Sequence, residues 1–94
     1  MKQTAQTFSS VFDAQADTPQ EAANMRARAE LAQALAALVL TQSWTQAEAA
    51  QRCGVTQPRM NDLLRGRISR FSLDALVNMA VACGQRVRMA LEAA

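Results

Sequence analysis

The stretch from Thr45 to Gly66, TQAEAAQRCGVTQPRMNDLLRG, constrains the fold most, because it predicts two short helices joined by a tight turn. Thr45 and Glu48 match a capping box, in which the threonine hydroxyl accepts the backbone amide three residues later. Gly54 suits the turn, since glycine enters a left-handed conformation without a Cβ penalty. Thr56 then caps a second helix whose first turn holds a proline. The stretch therefore predicts a compact helical hairpin.

The spacing within this hairpin is typical of a helix-turn-helix. Counted from Gln46 as position one, the matching residues are Ala50 at five, Gly54 at nine, Val55 at ten, Met60 at fifteen and Leu63 at eighteen. A small residue lets the helices cross closely, glycine makes the turn, and the later apolar residues seal the pair. Leu63 and Leu64 are expected to bury the inner face of the second helix. The alternative is an αα-hairpin from any small bundle, but five positions and two caps favour DNA binding.

Two longer helices are predicted on either side of the hairpin. Thr18, followed by proline and by Glu21, begins a helix that runs to about Thr41. Its apolar residues recur every three to four positions, which leaves Arg26, Arg28 and Glu30 largely in solvent. Ser72 caps the other helix and Gly84 closes it. The expected inner stripe of that last helix comprises Leu73, Leu76, Val77, Ala80 and Val81.

The segment QRVRMALE, residues 85–92, has a period of two instead of a helical period. Val87, Met89 and Leu91 alternate with Arg86, Arg88 and Ala90. This pattern predicts a half-buried strand, and a lone strand needs a partner for its backbone hydrogen bonds. The N-terminal arm is one candidate. The same strand of a second subunit is the favoured one, which makes Val87, Met89 and Leu91 the predicted dimerisation residues of a homodimer.

Residues 1–17 are predicted to form a flexible N-terminal arm, separate from a domain over residues 18–94. Phe8, Val11 and Phe12 are spaced to lie on one side of a helical turn. Two interpretations stay open for them: the arm folds back and places its aromatic side chains in the core, or it becomes ordered when it binds a partner protein.

Charge is distributed unevenly, although the whole chain carries only +2. Residues 1–50 contain three basic and five acidic residues, a net charge of −2, whereas residues 51–94 contain seven and three, a net charge of +4. Five arginines lie on or just after the hairpin: Arg52, Arg59, Arg65, Arg67 and Arg70. A single arginine is as often a solvated surface residue as a phosphate contact. As a cluster beside a helix-turn-helix, they favour DNA.

Composition argues against several other classes of protein. The 94 residues fit one small domain, and 4% aromatic residues within a 50% hydrophobic composition rich in alanine favour helix over sheet. No apolar run approaches the roughly 20 residues that span a bilayer, and no signal peptide opens the chain. We therefore expect a cytoplasmic protein without a membrane partner.

Residues that carry catalysis or bind metals are scarce. The chain has no histidine or tyrosine, one lysine and no glycine-rich phosphate loop. The sequence thus predicts no catalytic site, no cofactor and no metal site. Without histidine, Cys53 and Cys83 lack the partners of an ordinary zinc site, and we interpret them as small buried apolar residues.

The run TQAEAAQRCGVTQPRMNDLLRGRISRFSLDALVNMA resembles the Xre or phage-repressor type of helix-turn-helix protein, in particular its HigA-like antitoxin branch. The resemblance covers roughly Phe8 to Leu91. It implies an all-α, lambda-repressor-like domain of four main helices, with one C-terminal β-strand that pairs across a dimer. Members of the branch are typically repressors of their own operon that also bind and neutralise a RelE/HigB-like toxin.

The resemblance also implies which residues meet double-stranded DNA at a palindromic operator. The matching positions are Gln46, Thr56, Gln57, Arg59 and Asn61. Charge adds Arg65 and Arg67 as phosphate contacts. In the antitoxin interpretation, Phe8, Val11 and Phe12 bind the toxin. The alternatives are a stand-alone or prophage-type Xre regulator without a toxin, and an interaction module that has lost DNA binding.

Overall fold

A computed structural model of the chain describes residues 18–94, and this part contains four α-helices and no strand. In chain order they are α1 (Pro19–Thr41), α2 (Gln46–Cys53), α3 (Gln57–Leu64) and α4 (Leu73–Ala82), with one turn of 3-10 helix at Ile68–Arg70 between α3 and α4. The predicted all-α, four-helix architecture is confirmed. None of these helices combines the length with the apolar character needed to cross a membrane.

Each helix begins at the residue that the sequence predicts. The hydroxyls of Thr18, Thr45, Thr56 and Ser72 each accept the backbone amide three residues later, at 3.0 to 3.3 Å. Such caps satisfy donors that have no partner inside the helix. The box at Thr45 is only half formed, because Glu48 Oε2 accepts from Arg52 Nη2 instead, at 3.3 Å.

The turn between α2 and α3 has the predicted geometry. Gly54 adopts φ +72°, and the amide of Val55 donates to the carbonyl of Ala50 at 2.9 Å. Ala50 is buried where the two helices meet. The turn therefore reverses the chain within three residues and packs α3 across α2, as the helix-turn-helix spacing predicts.

One core lies between α1, the hairpin and α4. Its buried members are Ala32, Leu35, Val39, Ala49, Ala50, Cys53, Met60, Leu63, Phe71, Leu76, Met79 and Ala80. Most residues contributed by α1 and α2 are small, so the helices approach closely. Larger side chains from α3, α4 and the intervening loop, above all Met60 and Phe71, fill the centre.

Two predicted core residues lie at the surface instead. Leu64 is exposed and Val81 is 60% exposed, whereas Met79, absent from the predicted stripe, is buried. Leu64 follows the buried Leu63, and Val81 follows the buried Met79 and Ala80. Because successive helical residues are rotated by about 100°, the next position turns out of the core. Leu76, Met79 and their neighbour Ala80 form the stripe that α4 presents to the core.

Arg28 is not the solvated residue that the α1 pattern predicts. It is half-buried, and its Nη1 donates to the carbonyl of Phe71 at 3.0 Å. This bond joins α1 to the loop between α3 and α4. A periodicity cannot reveal it, because the long arginine side chain reaches the loop along the edge of the apolar stripe.

The C-terminal segment, residues 85–94, forms no helix or strand in the described chain. Val87 is half-buried and packs against the core, while Met89 is 77% exposed and Leu91 is fully exposed. The predicted strand and its pairing across a dimer thus stay predictions. The predicted arm, with Phe8, Val11 and Phe12, lies outside the described residues.

Candidate nucleic-acid interface

The first residues of α2 and α3 are joined by a hydrogen bond. Gln46 Nε2 donates to the backbone carbonyl of Gln57 at 3.3 Å, and both residues are exposed. The bond uses the main chain of Gln57, so the amide of the Gln57 side chain stays available. Two predicted DNA-binding residues are thus neighbours at one exposed end of the hairpin.

The outer face of α3 presents polar side chains one helical turn apart. Gln57 is exposed and Asn61 is half-buried, and within residues 18–94 neither side chain makes a hydrogen bond. Thr56 lies just before them, and its hydroxyl accepts from the amide of Arg59 at 3.3 Å while its own proton remains free to donate. The face thus carries unused donors and acceptors on a rigid helix.

Arg59 points away from this face and toward the following loop. Its guanidinium lies over the ring of Phe71, 4.1 Å from the centroid, and its Nη1 donates to the carbonyl of Arg70 at 2.7 Å. Such a cation–π contact stabilises the position of the loop. The family resemblance and the arginine cluster grouped Arg59 with the DNA contacts, and in the structure its guanidinium also contacts the loop at Arg70 and Phe71.

Asp62, which the sequence did not single out, accepts from two arginines of the loop. Its Oδ1 is 2.9 Å from Nη1 of Arg67 and 3.1 Å from Nη1 of Arg70. The hydrogen bond from Arg67, supported by Arg70, lowers the pKa of the Asp62 carboxyl group below its ordinary value. A lone acid within an arginine cluster is the sequence signal that points to this site.

The remaining arginines of the cluster differ in how much they are engaged. Arg65 is exposed, and its guanidinium makes no ion pair within the described residues. Arg52 pairs with Glu48 at 3.3 Å and lies 4.8 Å from the ring centroid of Trp44. Among the arginines next to α3, Arg65 therefore makes the fewest contacts with the rest of the chain. Arg52 is held against α2 and Trp44 by its ion pair and its ring contact.

The two cysteines are neighbours where α2 and α4 end. Both are free thiols; Cys53 is buried and Cys83 is half-buried. Burial, followed by the proximity of Cys83, raises the pKa of the Cys53 thiol to about 12. Such a thiol stays protonated and behaves as an apolar side chain. In the described part of the chain, no group of histidine, cysteine, aspartate and glutamate side chains is arranged to hold a metal ion.

A comparison with protein families gives one match over most of the chain. A family model described as a helix-turn-helix domain matches residues 14–92, a range that includes all four helices and most of the C-terminal segment. No curated protein matches the sequence.

Proposed function

Because this chain belongs to the helix-turn-helix domain family, we propose that it is a sequence-specific transcriptional repressor that binds a palindromic DNA operator as a homodimer. The observation that carries the proposal is the outer face of α3, where the amide side chains of Gln57 and Asn61 lie one turn apart and unpaired within the described residues. In this family of motifs, the second hairpin helix enters the major groove, and its first residues meet base edges.

Base reading is assigned to Gln57 and Asn61. A side-chain amide carries both a donor and an acceptor, so it can form a bidentate pair with the N6 and N7 positions of adenine. Thr56, at the helix start, can donate its hydroxyl proton to a base or a phosphate. The hydrogen bond from Gln46 to the Gln57 carbonyl supports this role, because it holds the reading end of α3 against α2.

Phosphate contact is assigned to Gln46, Arg65 and Arg67. Gln46 begins α2 beside the start of α3, and the two arginines follow the end of α3. Gln46 keeps one amide N–H and its carbonyl oxygen. Arg67 keeps several N–H donors beyond the one that Asp62 accepts. Arg59 belongs to the same interface, but its contacts with the loop favour a role in holding that loop beside the DNA backbone.

Dimerisation is assigned to the C-terminal segment, through Val87, Met89 and Leu91. Val87 packs on the core and anchors the segment, while the two later apolar side chains remain largely exposed in the single chain. Pairing two such segments around a two-fold axis would satisfy their backbone groups and cover the exposed side chains. Two recognition helices would then face successive major grooves.

Selection from a random duplex library tests the repressor proposal directly. We expect enrichment of an inverted repeat whose half-sites lie about one helical turn apart, roughly 34 Å. Binding of the selected duplex should exceed binding of a scrambled duplex by about 10³-fold or more at moderate salt. A library that shows no enrichment, although the protein is folded, would contradict sequence-specific binding.

The more specific proposal is an antitoxin of the HigA-like branch that also neutralises a RelE/HigB-like toxin. It is supported by the TQAEAA and GVTQPR segments of the hairpin. Phe8, Val11 and Phe12 are the proposed toxin contacts. Changing all three to alanine should abolish capture of a toxin encoded beside this gene, with the melting temperature and DNA affinity preserved. A large loss of stability would instead assign these side chains to the core, and absence of a toxin gene would favour a stand-alone regulator.

A further inference from the structure

Asp62 is the only acidic residue within residues 57–71, a segment that contains four arginines. Its Oδ1 accepts hydrogen bonds from Nη1 of Arg67 and from Nη1 of Arg70. The Asp62 side chain is 17% exposed, whereas the side chains of Arg67 and Arg70 are 42% and 58% exposed. One carboxylate thus gathers two solvent-facing guanidinium groups next to α3.

Other hydrogen bonds hold the loop after α3 alongside these two ion pairs. The backbone amide of Arg67 donates to the backbone carbonyl of Asp62 at 3.0 Å. Nη1 of Arg59 donates to the carbonyl of Arg70 at 2.7 Å. Because the Arg67 and Arg70 side chains face solvent, their ion pairs contribute modestly to stability, and the main consequence of the Asp62 carboxylate is electrostatic.

A guanidinium binds a carboxylate and a phosphate through the same N–H groups. We propose that Asp62 is an internal competitor of DNA phosphate, which occupies donors of Arg67 and Arg70 and limits how tightly the loop binds any duplex. Phosphate contacts supply nearly all of non-specific binding, so this competition weakens attachment to arbitrary DNA. The inference rests on the proposed DNA-binding function and concerns the regulation of its backbone contacts.

Two variants of Asp62 distinguish competition with DNA phosphate from positioning of the two arginines. Asp62→Asn removes the charge but keeps an oxygen that can accept from either arginine, whereas Asp62→Ala removes the acceptor as well. Glu30→Gln is the matched control, because it removes the same charge from an exposed residue of α1. Glu30 borders a groove formed by α1, α4 and the C-terminal segment, with no residue of α3 in its lining. Because that segment carries the proposed dimer contacts, sedimentation must also find Glu30→Gln in the same oligomeric state as the unchanged protein. Thermal unfolding verifies that each variant is folded.

Affinity is measured on the selected duplex and on its scrambled version across a salt series. We expect both Asp62 variants to bind both duplexes about 3- to 10-fold more tightly at low salt. Their salt dependence should steepen by up to about two units, one for each arginine released. Glu30→Gln should stay within about twofold of the unchanged protein.

Unchanged or weaker binding by Asp62→Asn would overturn the inference, and so would an equal gain in Glu30→Gln. Weaker binding by Asp62→Ala alone would assign a positioning role to the carboxylate instead. If the unchanged protein binds both duplexes equally, sequence-specific repression fails, while the Asp62 variants still decide the inference on the scrambled duplex. Absence of binding to any duplex would overturn both.

Discussion

Two regions of the chain differ in how completely their backbone groups and apolar side chains find partners within one chain. They are the hairpin with its following loop, residues 45–71, and the C-terminal segment, residues 85–94. In the first region both helices begin at a threonine cap, and Arg59 holds the loop. Met60 and Phe71 are almost completely buried. In the second region Leu91 is fully exposed and no regular hydrogen bonding is present in the described chain.

This difference separates two tasks. A base-reading surface must be rigid before it meets DNA, and the hairpin obtains that rigidity from local caps and from a core that one chain completes. A dimerisation segment needs groups left over for a second subunit. We therefore attribute the apolar alternation of the C-terminal segment to the proposed dimer.

The largest expected effect follows from removing a central side chain of the first region. Phe71→Ala should lower the free energy of unfolding by about 3–5 kcal/mol, because the ring fills the core and supports the guanidinium of Arg59. Met89→Ala, the matched change in the second region, should alter it by less than about 0.5 kcal/mol. Urea unfolding at low protein concentration measures both. Equal losses would remove the distinction between the regions.

The second prediction concerns assembly. Met89→Asp should convert dimers to monomers and weaken binding to the selected duplex by about 10²-fold, since two half-sites would no longer be bound together. Ala90→Asp adds the same charge at the neighbouring position. That side chain would point to the opposite face of a strand, so the variant should remain dimeric. Both are better tests than Val87→Asp or a chain that ends at Gly84, because Val87 also packs on the core. Sedimentation that finds Met89→Asp dimeric would contradict the assignment.

The architecture followed from the sequence because local chemistry determines it. Four caps predict where each helix begins, and three glycines with positive φ predict where α2, α3 and α4 end. Periodicity was less informative about which neighbour turns inward, as at Leu64 and Val81. The C-terminal alternation predicts a strand only when a partner is supplied, and a partner is not encoded in a local pattern.

The candidate site was predictable in its residue types and less so in its contacts. The family resemblance supplied Gln46, Gln57 and Asn61, and helical spacing places Asn61 one turn after Gln57. The contacts of Arg59 and Asp62 depend on the path of the loop, which brings residues eight to eleven positions apart into contact. No helical or strand periodicity encodes such pairs, so arginines that look equivalent in sequence have different partners.

The smallest expected effect is a pH dependence of stability that comes from the buried thiol of Cys53, at the end of α2. The pKa of Cys53 is raised to about 12 from an ordinary value near 9.0. Well below pH 9 both states keep the proton and the stability is fully present. As the pH rises above 9, the unfolded chain loses the proton first, so the free energy of unfolding should fall by about 1 kcal/mol between pH 9 and pH 10. Cys53→Ala should show a flatter alkaline profile. An unchanged profile would contradict the burial argument.

Base reading by the exposed face of α3 is tested most directly by Gln57→Ala, which leaves the backbone carbonyl that Gln46 binds. We predict a loss of about 1–3 kcal/mol on the selected duplex, relaxed preference at one base pair of each half-site and unchanged binding to the scrambled duplex. Arg65→Ala, the comparison variant, should weaken both duplexes alike and make the salt dependence shallower by about one unit per lost contact. If Gln57→Ala weakens both duplexes equally, α3 does not read bases through this residue.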